Sequence, residues 1–278
     1  MANLSKKTIA RMSILVLVMA AISMTLFSCS TYCAQSHQTY IDMAGAELHQ
    51  LEKPSDDAPA AIVHTTAGDI TAVLYPEDAP DYVAQFIRLA EEGYYDGTYV
   101  FQVEKGVYFS AGSPGADGSV SGTQAASAQE NIVKETTANL WPFRGAFCAP
   151  VTGHDASFWD NLFGQANDYV GTRFLVCDTI EFDEATRTEL EEMDESAKAV
   201  TDAFLELGGI PNYAQQMTVF AQAYGEESFA VIDAITDAPV KAADEESGYT
   251  APAEDILIES IEITTWGEAK QNSASKNI

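Results

Sequence analysis

The sequence predicts a mainly β domain: a closed antiparallel β-barrel with flanking helices and a helical insertion. Three observations predict it. Short apolar runs recur along the chain, turn-forming residues separate them, and helical patterns are too few for alternating strand–helix–strand units. With 278 residues and 46% hydrophobic composition, one sizeable core carrying insertions can be buried, two small domains being the alternative.

The elements follow in order. Residues 61–65 and 70–75 read as a first strand pair, with turn chemistry from Ala67-Gly68-Asp69. In the second strand Ile70, Ala72 and Leu74 alternate with Thr71, Val73 and Tyr75, so one side can be buried. A helix comes next. Pro80 suits its first position, Asp81 its positive end, Val83, Phe86, Ile87 and Ala90 form a stripe, and Gly93 ends it. Residues 98–103 and 106–111 form another strand pair, and residues 112–128, rich in Gly, Ser and Ala, a long surface loop. Further strands are expected at 145–149, 173–178, 218–223 and 255–264. In the last, Ile256 and Ile258 share one parity and Ile261 and Ile263 the other, a phase change that a bulge would produce.

Two stretches read as insertions. Residues 151–170 hold the apolar group Phe158, Trp159, Leu162 and Phe163. Residues 184–207 carry Leu190, Met193, Ala197, Val200, Phe204 and Leu207 at helical spacing, ended by Gly208-Gly209. That stripe either covers the domain or takes a partner helix.

The charge balance is extreme, 42 acidic against 14 basic residues, formally -28. Nucleic acid is excluded as a partner because the basic patch that phosphates require is missing. Lys6, Lys7 and Arg11 precede the first acid, Asp42, and are followed by an apolar run from Met12 to Phe27, so residues 1–28 read as an export signal. Leu26-Phe27-Ser28-Cys29 resembles a bacterial lipobox, which makes Cys29 the lipidation residue and a membrane attachment point. A cleaved soluble form and an uncleaved anchor are the other readings. All three place the protein outside the cytoplasmic membrane. Residues 29–60 read as a flexible tether, 61–265 as the folded domain and 266–278 as a polar tail, and a monomer is expected. Cys29 and Cys33 belong to the export region. Cys148 and Cys177 lie in two apolar runs where buried free thiols and a disulfide both fit. Four cysteines without close histidine partners make no zinc site. His64 in a strand and His154 in an insertion read as structural residues.

Taken in order, these segments resemble the cyclophilin family of peptidyl-prolyl cis-trans isomerases from about Ile62 to Ile263. Thr65-Thr66-Ala67-Gly68-Asp69-Ile70 is similar to the family's first hairpin, and Leu74-Tyr75-Pro76-Glu77-Asp78-Ala79-Pro80 to its approach to the first helix. Val83, Phe86 and Ile87, then Gly93-Tyr94-Tyr95-Asp96-Gly97-Thr98, form the strongest stretch. Asn139-Leu140 with Phe143-Arg144-Gly145-Ala146, and Gly171-Thr172-Arg173-Phe174-Leu175-Val176, resemble two later strands and their approaches. Gly208-Gly209-Ile210-Pro211 and Thr218-Val219-Phe220 are similar to the segment that bacterial members carry after a helical insertion. The resemblance implies a cyclophilin-like closed barrel, a proline-containing peptide or protein segment as partner, and neither cofactor nor metal.

The chemistry it implies is simple. Rotation about an X-Pro amide is slow because resonance gives the C–N bond double-bond character. An isomerase needs an apolar slot for the ring and a donor for the twisted amide, an arginine in the family. Where the family has Phe-His-Arg-Val, this chain has Val100-Phe101-Gln102-Val103, so Gln102 takes the catalytic position. Gly-Phe-Met-Ile-Gln-Gly-Gly becomes Gly106-Val107-Tyr108-Phe109-Ser110-Ala111-Gly112, so Val107 replaces a pocket phenylalanine and Ser110 a peptide-binding glutamine. Cys148-Ala149-Pro150-Val151 matches the backbone-binding Ser-Met-Ala-Asn, which assigns Pro150 to substrate binding. Thr172-Arg173-Phe174-Leu175 matches Ser-Gln-Phe-Phe, putting Leu175 at the second pocket phenylalanine and an arginine, Arg173, at a glutamine position. Asn212-Tyr213-Ala214-Gln215-Gln216-Met217 matches Trp-Leu-Asp-Gly-X-His, so Tyr213 and Met217 replace the slot's leucine and histidine.

The packing residues persist while the functional ones change. Three functions stay open. One is an extracytoplasmic folding factor with weak or altered isomerase activity, in which Gln102 and Arg173 act catalytically. The second is an inactive peptide- or protein-binding module, and the third a structural domain whose groove is filled by Tyr108, Tyr213 or the inserted aromatic loop. An open groove with Arg173 pointing inward favours the first, a plugged one the others.

Overall fold

The computed structural model describes residues 43, 45–120, 132–155, 167–245 and 247–276. The export signal, Cys29, Cys33, part of the Gly/Ser/Ala loop and Phe158 to Phe163 lie outside the described residues, as does the side chain of His154. The chain divides into two units, 1–40 with 154–167, and 41–153 with 168–278. Of the first, only residues 154, 155 and 167 are described, all in strands; the barrel belongs to the second.

In chain order the strands and helices are β1 (Pro59–Thr65), β2 (Gly68–Leu74), α1 (Pro80–Glu91), β3 (Thr98–Glu104), β4 (Tyr108–Ser113), β5 (Ile132–Val133), β6 (Ala146–Ala149), β7 (Val151–Asp155), β8 (Asn167–Val170), β9 (Phe174–Cys177), α2 (Glu184–Glu191), α3 (Lys198–Leu207), β10 (Thr218–Ala223), α4 (Glu226–Thr236), β11 (Leu257–Thr265) and α5 (Trp266–Lys276). Eight strands close in the order β1-β11-β3-β4-β9-β6-β10-β2, every neighbouring pair antiparallel. This is the closed barrel that the sequence predicts. Strands β5, β8 and β7 make a separate three-stranded sheet.

The phase change in β11 is a bulge. His64 faces Ser260 but Thr65 faces Ile258, so Glu259 is the extra residue. The inserted residue turns both Ile258 and Ile261 into the core despite their opposite parity. Alternation also governs β6 and β9. Phe147, Phe174 and Val176 point into the barrel, while Ala146, Cys148, Leu175 and Cys177 build a second apolar cluster on its outer face. Cys148 and Cys177 are neighbours there, their sulfurs 3.8 Å apart, buried and unbonded.

Helix α1 packs Tyr82, Val83 and Phe86 against the barrel. Pro80 stands in its first turn, and the carboxylate of Glu135 accepts the backbone N–H groups of Asp81 at 3.2 Å and Tyr82 at 3.0 Å. These are donors that a helix leaves orphaned, and an anion suits that end.

Three expectations need correction. The insertion at 184–207 is not one helix: α2 stops at Glu191 and α3 begins at Lys198. Asp194 between them has extended backbone, ψ 150°, which turns the chain and leaves Met193 46% exposed although it belongs to the sequence stripe. Leu190, Val200 and Phe204 pack with Trp141 and Phe143, so the stripe covers the domain itself. The polar tail begins as α5, which buries Ala269 and places Trp266 5.5 Å from Tyr224.

The tether is docked over its last part. His49–Leu51 forms a 3-10 turn whose Gln50 is only 5% exposed. Its amide donates to the Trp141 carbonyl and to Gln222 Oε1, both at 2.8 Å, and accepts the Trp141 N–H at 2.7 Å. Beside it, His49 Nδ1 lies 2.7 Å from Asp78 Oδ2, whose carboxylate is 6% exposed. Burial works against charge on His49, but the hydrogen bond and attraction of Asp78, with Glu52 and Glu47, outweigh it and hold the pKa above the ordinary histidine value. A raised folded-state pKa stabilises docking fully below the ordinary value of 6.5, and the gain is lost as pH rises through the raised one. The strap is therefore expected to loosen on the alkaline side, read as faster amide exchange at Gln50. His49→Gln should flatten that profile, and an unchanged pH dependence in the variant would show that another group controls it.

Candidate functional site

The candidate site is the apolar cluster carried by β6 and β9 together with the adjoining β3–β4 hairpin. Two register shifts shape it: Tyr99 faces Ser113, Val100 faces Ala111 and Gln102 faces Ser110. Gly112 and Phe101 are therefore the extra residues on the two strands. Gly112 has φ +84°, and a Cβ there would lie 3.1 Å from the Tyr95 ring, which explains the glycine.

Gln102 emerges from this bulged hairpin half-buried, and its Nε2 donates to the Tyr108 hydroxyl at 2.8 Å. Tyr108 meets Tyr213 ring to ring, T-shaped, centroids 5.9 Å apart. Burial, with Tyr213 beside it, pushes the Tyr108 phenol far above its ordinary pKa, so it stays protonated. Val107, Tyr108, Tyr213 and Met217 all pack against the outer cluster that contains Leu175 and Cys148. The slot positions implied by the sequence are thus brought together.

Met217 also lines a separate cleft of about 10 Å3 with Thr137, Leu140, Gln215 and Val219, room for about one water. Gln215, at the position of a family glycine, adopts φ +63° and donates to the Thr137 carbonyl at 3.3 Å. A side chain larger than glycine rarely holds that conformation, so the turn carrying Tyr213 and Met217 is built under local strain.

The remaining positions are less accessible. Ser110 is 6% exposed, facing Gln102 on one side and Leu175 on the other. Pro150 follows β6 half-buried and offers no N–H to a bound strand. Arg173 is committed elsewhere. One guanidinium nitrogen donates to the Gly118 carbonyl at 2.8 Å, and the group lies over the Phe101 ring, 5.5 Å from its centroid. Phe101 in turn contacts Tyr249 at 5.1 Å. Phe101, Gly118 and Tyr249 are residues that sequence reasoning missed. The one signal was the glycine: a Cβ at Gly118 would lie 2.7 Å from Tyr249 and 2.8 Å from Phe101.

Against known proteins, residues 60–174 match the family described as cyclophilin type peptidyl-prolyl cis-trans isomerase/CLD. A Streptococcus pyogenes protein named "Putative bifunctional phosphatase/peptidyl-prolyl cis-trans isomerase" is 30% identical over 217 residues, 78% of this chain and 41% of that protein. The chain therefore spans less than half the length of that relative. A Staphylococcus epidermidis protein named "Putative peptidyl-prolyl cis-trans isomerase" is 28% identical over 217 residues, 77% of this chain and 96% of that protein. A Cryptosporidium parvum cyclophilin type peptidyl-prolyl cis-trans isomerase, known from its crystal structure, aligns at 15% identity and TM-score 0.48 over 75% of this chain and 98% of that one. The chain thus folds as a closed eight-stranded antiparallel barrel, of which residues 60–174 match the cyclophilin-type family, and it is similar at low identity to these bacterial proteins.

Proposed function

We propose that this protein is a divergent member of the cyclophilin family, a folding factor that engages proline-containing segments outside the cytoplasmic membrane with weak or altered isomerase activity. The groove supports this reading. Val107, Tyr213 and Met217 pack against the apolar cluster that holds Leu175, and Gln102, which the resemblance assigns to the arginine position, is a neutral amide bonded to the Tyr108 hydroxyl. Losing charge assistance removes about 1–2 kcal/mol from such a hydrogen bond. Export rests on the N-terminal pattern, with Cys29 as the lipid attachment residue.

A second reading, a peptide- or protein-binding module without catalysis, is favoured by the anchored Arg173. An X-Pro isomerisation assay on the chain from residue 30, which keeps the docked strap, separates the two. The isomerase reading expects slow but measurable catalysis, raised about 5- to 30-fold in Gln102→Arg, the equivalent of 1–2 kcal/mol. Wild type without activity, unrescued by Gln102→Arg yet binding an Ala-Pro peptide, would establish the module instead. Strong wild-type catalysis abolished by Arg173→Ala would restore the arginine to the groove and overturn both.

A further inference from the structure

A cavity of about 430 Å3 lies between the docked strap and the end of β2, within the roughly 300–1,000 Å3 of small-ligand sites. Glu52 to Ser55 supply part of its lining, and Val73, Leu74 and the turn after them another part. Two anchors on different elements fix the strap there. At one end the Gln50 side chain holds Trp141 and Gln222, and its carbonyl accepts the Tyr224 hydroxyl at 2.9 Å. At the other, the first turn of α5 donates from the Trp266 N–H to the Ala58 carbonyl at 2.9 Å and from the Gly267 N–H to that of Asp56 at 2.8 Å. Pinned at both ends, the segment cannot settle onto β2, and Pro54 brings no N–H with which to pair there.

The charges around this cavity do not balance. His49 takes up Asp78, Asp57 accepts from the Ser55 hydroxyl, and the charge of Lys53 acts on Asp56, outside the lining. Glu52 and Glu77 are exposed members of the lining, and neither carboxylate forms an ion pair or hydrogen bond among the described residues. Burial raises the pKa of the Tyr75 phenol, and the Glu52 charge adds to that rise. At His49 burial works the other way, and Glu52 joins Asp78 in favouring the cation. The Glu52 charge is therefore felt both on the strap and just beyond β2. We propose that this cavity is a second binding site, which takes an ammonium or guanidinium group on a short aliphatic stem, the chemistry of a lysine or arginine side chain. The stem meets the apolar lining while the head meets Glu52 and Glu77, and the net charge of -28 draws cations towards the protein as a whole. Because the strap supplies part of the site, an occupant binds the docked form alone and holds the strap to the barrel. Tyr75 lines this cavity and packs against the outer apolar cluster too, so the two sites adjoin, but this one does not depend on isomerase activity.

Calorimetry on the full-length protein tests this with Nα-acetyl-lysine methylamide, free lysine and the neutral Nα-acetyl-norleucine methylamide. The capped lysine is expected to bind at least about tenfold more tightly than the norleucine compound. Glu52→Gln combined with Glu77→Gln should weaken it by about tenfold or more. Both positions are exposed, so the double variant should keep the wild-type unfolding midpoint. With the capped lysine at about ten times its Kd, amide exchange at Gln50 should slow about tenfold. Binding of the capped form supports the site and assigns it to a protein side chain, and binding of free lysine alone supports it and assigns it to a free amino acid. Equal affinity for the norleucine compound, or unchanged affinity in the double variant, would overturn the cationic site. Binding that leaves Gln50 exchange unchanged would overturn its coupling to the strap. No binding of any probe would overturn the proposal outright and leave the isomerase reading standing.

Discussion

Phe220→Ala is expected to lower the unfolding free energy by about 3–5 kcal/mol. Phe220 is completely buried on β10 and joins both ends of the aromatic core. Its ring lies 4.7 Å from Tyr82 and 5.1 Å from Phe86 on α1, 6.1 Å from Phe147 on β6 and 6.4 Å from Phe174 on β9. Removing it leaves a void bordered by rings from three elements, two tilted and two edge-on to it, and buried rings on separate elements cannot all collapse into it. Because β6 and β9 present Cys148 and Leu175 on their other face, the loss also loosens the floor of the groove. Denaturant titration should show a lower midpoint at unchanged slope. Leu207→Ala, 40% exposed at the end of α3, should stay within about 0.5 kcal/mol of wild type. A Phe220→Ala cost under about 1 kcal/mol would mean that the core repacks and that the aromatic cluster does not hold α1 to the barrel.

What the sequence makes legible here is local. Pro80 and the Val83–Phe86 stripe announce α1, and the parity switch between Ile258 and Ile261 announces a bulge, because each signal lies within one element. The docked strap was hidden because its stability comes from distant partners. Gln50 is satisfied by Trp141, 91 positions away, and by Gln222, 172 away, while its own neighbourhood is polar. Helix α4 went unread although Ile232 and Ile235 are fully buried, since it follows Gly225 straight after β10 and its stripe is short. The break at Asp194 was equally invisible: the 3–4 spacing runs through it without interruption.

The site divides the same way. Family resemblance named Val107, Leu175, Tyr213 and Met217 as slot positions, and the fold packs all four in or against one apolar cluster. It did not locate the direction of the side chains. The extra residue Phe101 in the β3–β4 hairpin sets which way Gln102 points, and that turn of the chain joins Gln102 to Tyr108 while Arg173 settles on Phe101 and Gly118. Register shifts of this kind depend on pairing across the hairpin, so identity at a position is legible before its contact is.

Arg144→Ala is expected to cost about 3 kcal/mol, because it strands a buried carboxylate in a chain with few cations to replace the lost one. Arg144 Nε donates to Asp178 Oδ1 at 2.8 Å, a second guanidinium nitrogen contacts Asp233, and the group lies 5.1 Å from the Phe229 ring centroid. Asp178, just beyond β9, keeps a side chain only 8% exposed, and its other oxygen accepts from Thr236 Oγ1 at 2.8 Å. Asp233, Thr236 and Phe229 all belong to α4, so one arginine ties the end of β9 to that helix. The estimate sits at the low end for a broken buried pair because Arg144 is itself 31% exposed and water can reach part of the vacated space. Arg144→Lys should recover less than half of the loss, since an ammonium cannot serve two carboxylates from the planar fork that guanidinium provides. Asp178→Asn in the Arg144→Ala background should return part of the stability by removing the stranded charge, giving a coupling energy of about 1–3 kcal/mol in the double-mutant cycle. Additive single effects in that cycle, or an Arg144→Ala cost within about 0.5 kcal/mol, would show the contact to be no stronger than an ordinary surface ion pair and would leave the docking of α4 to its buried side chains, Ile232 and Ile235 among them.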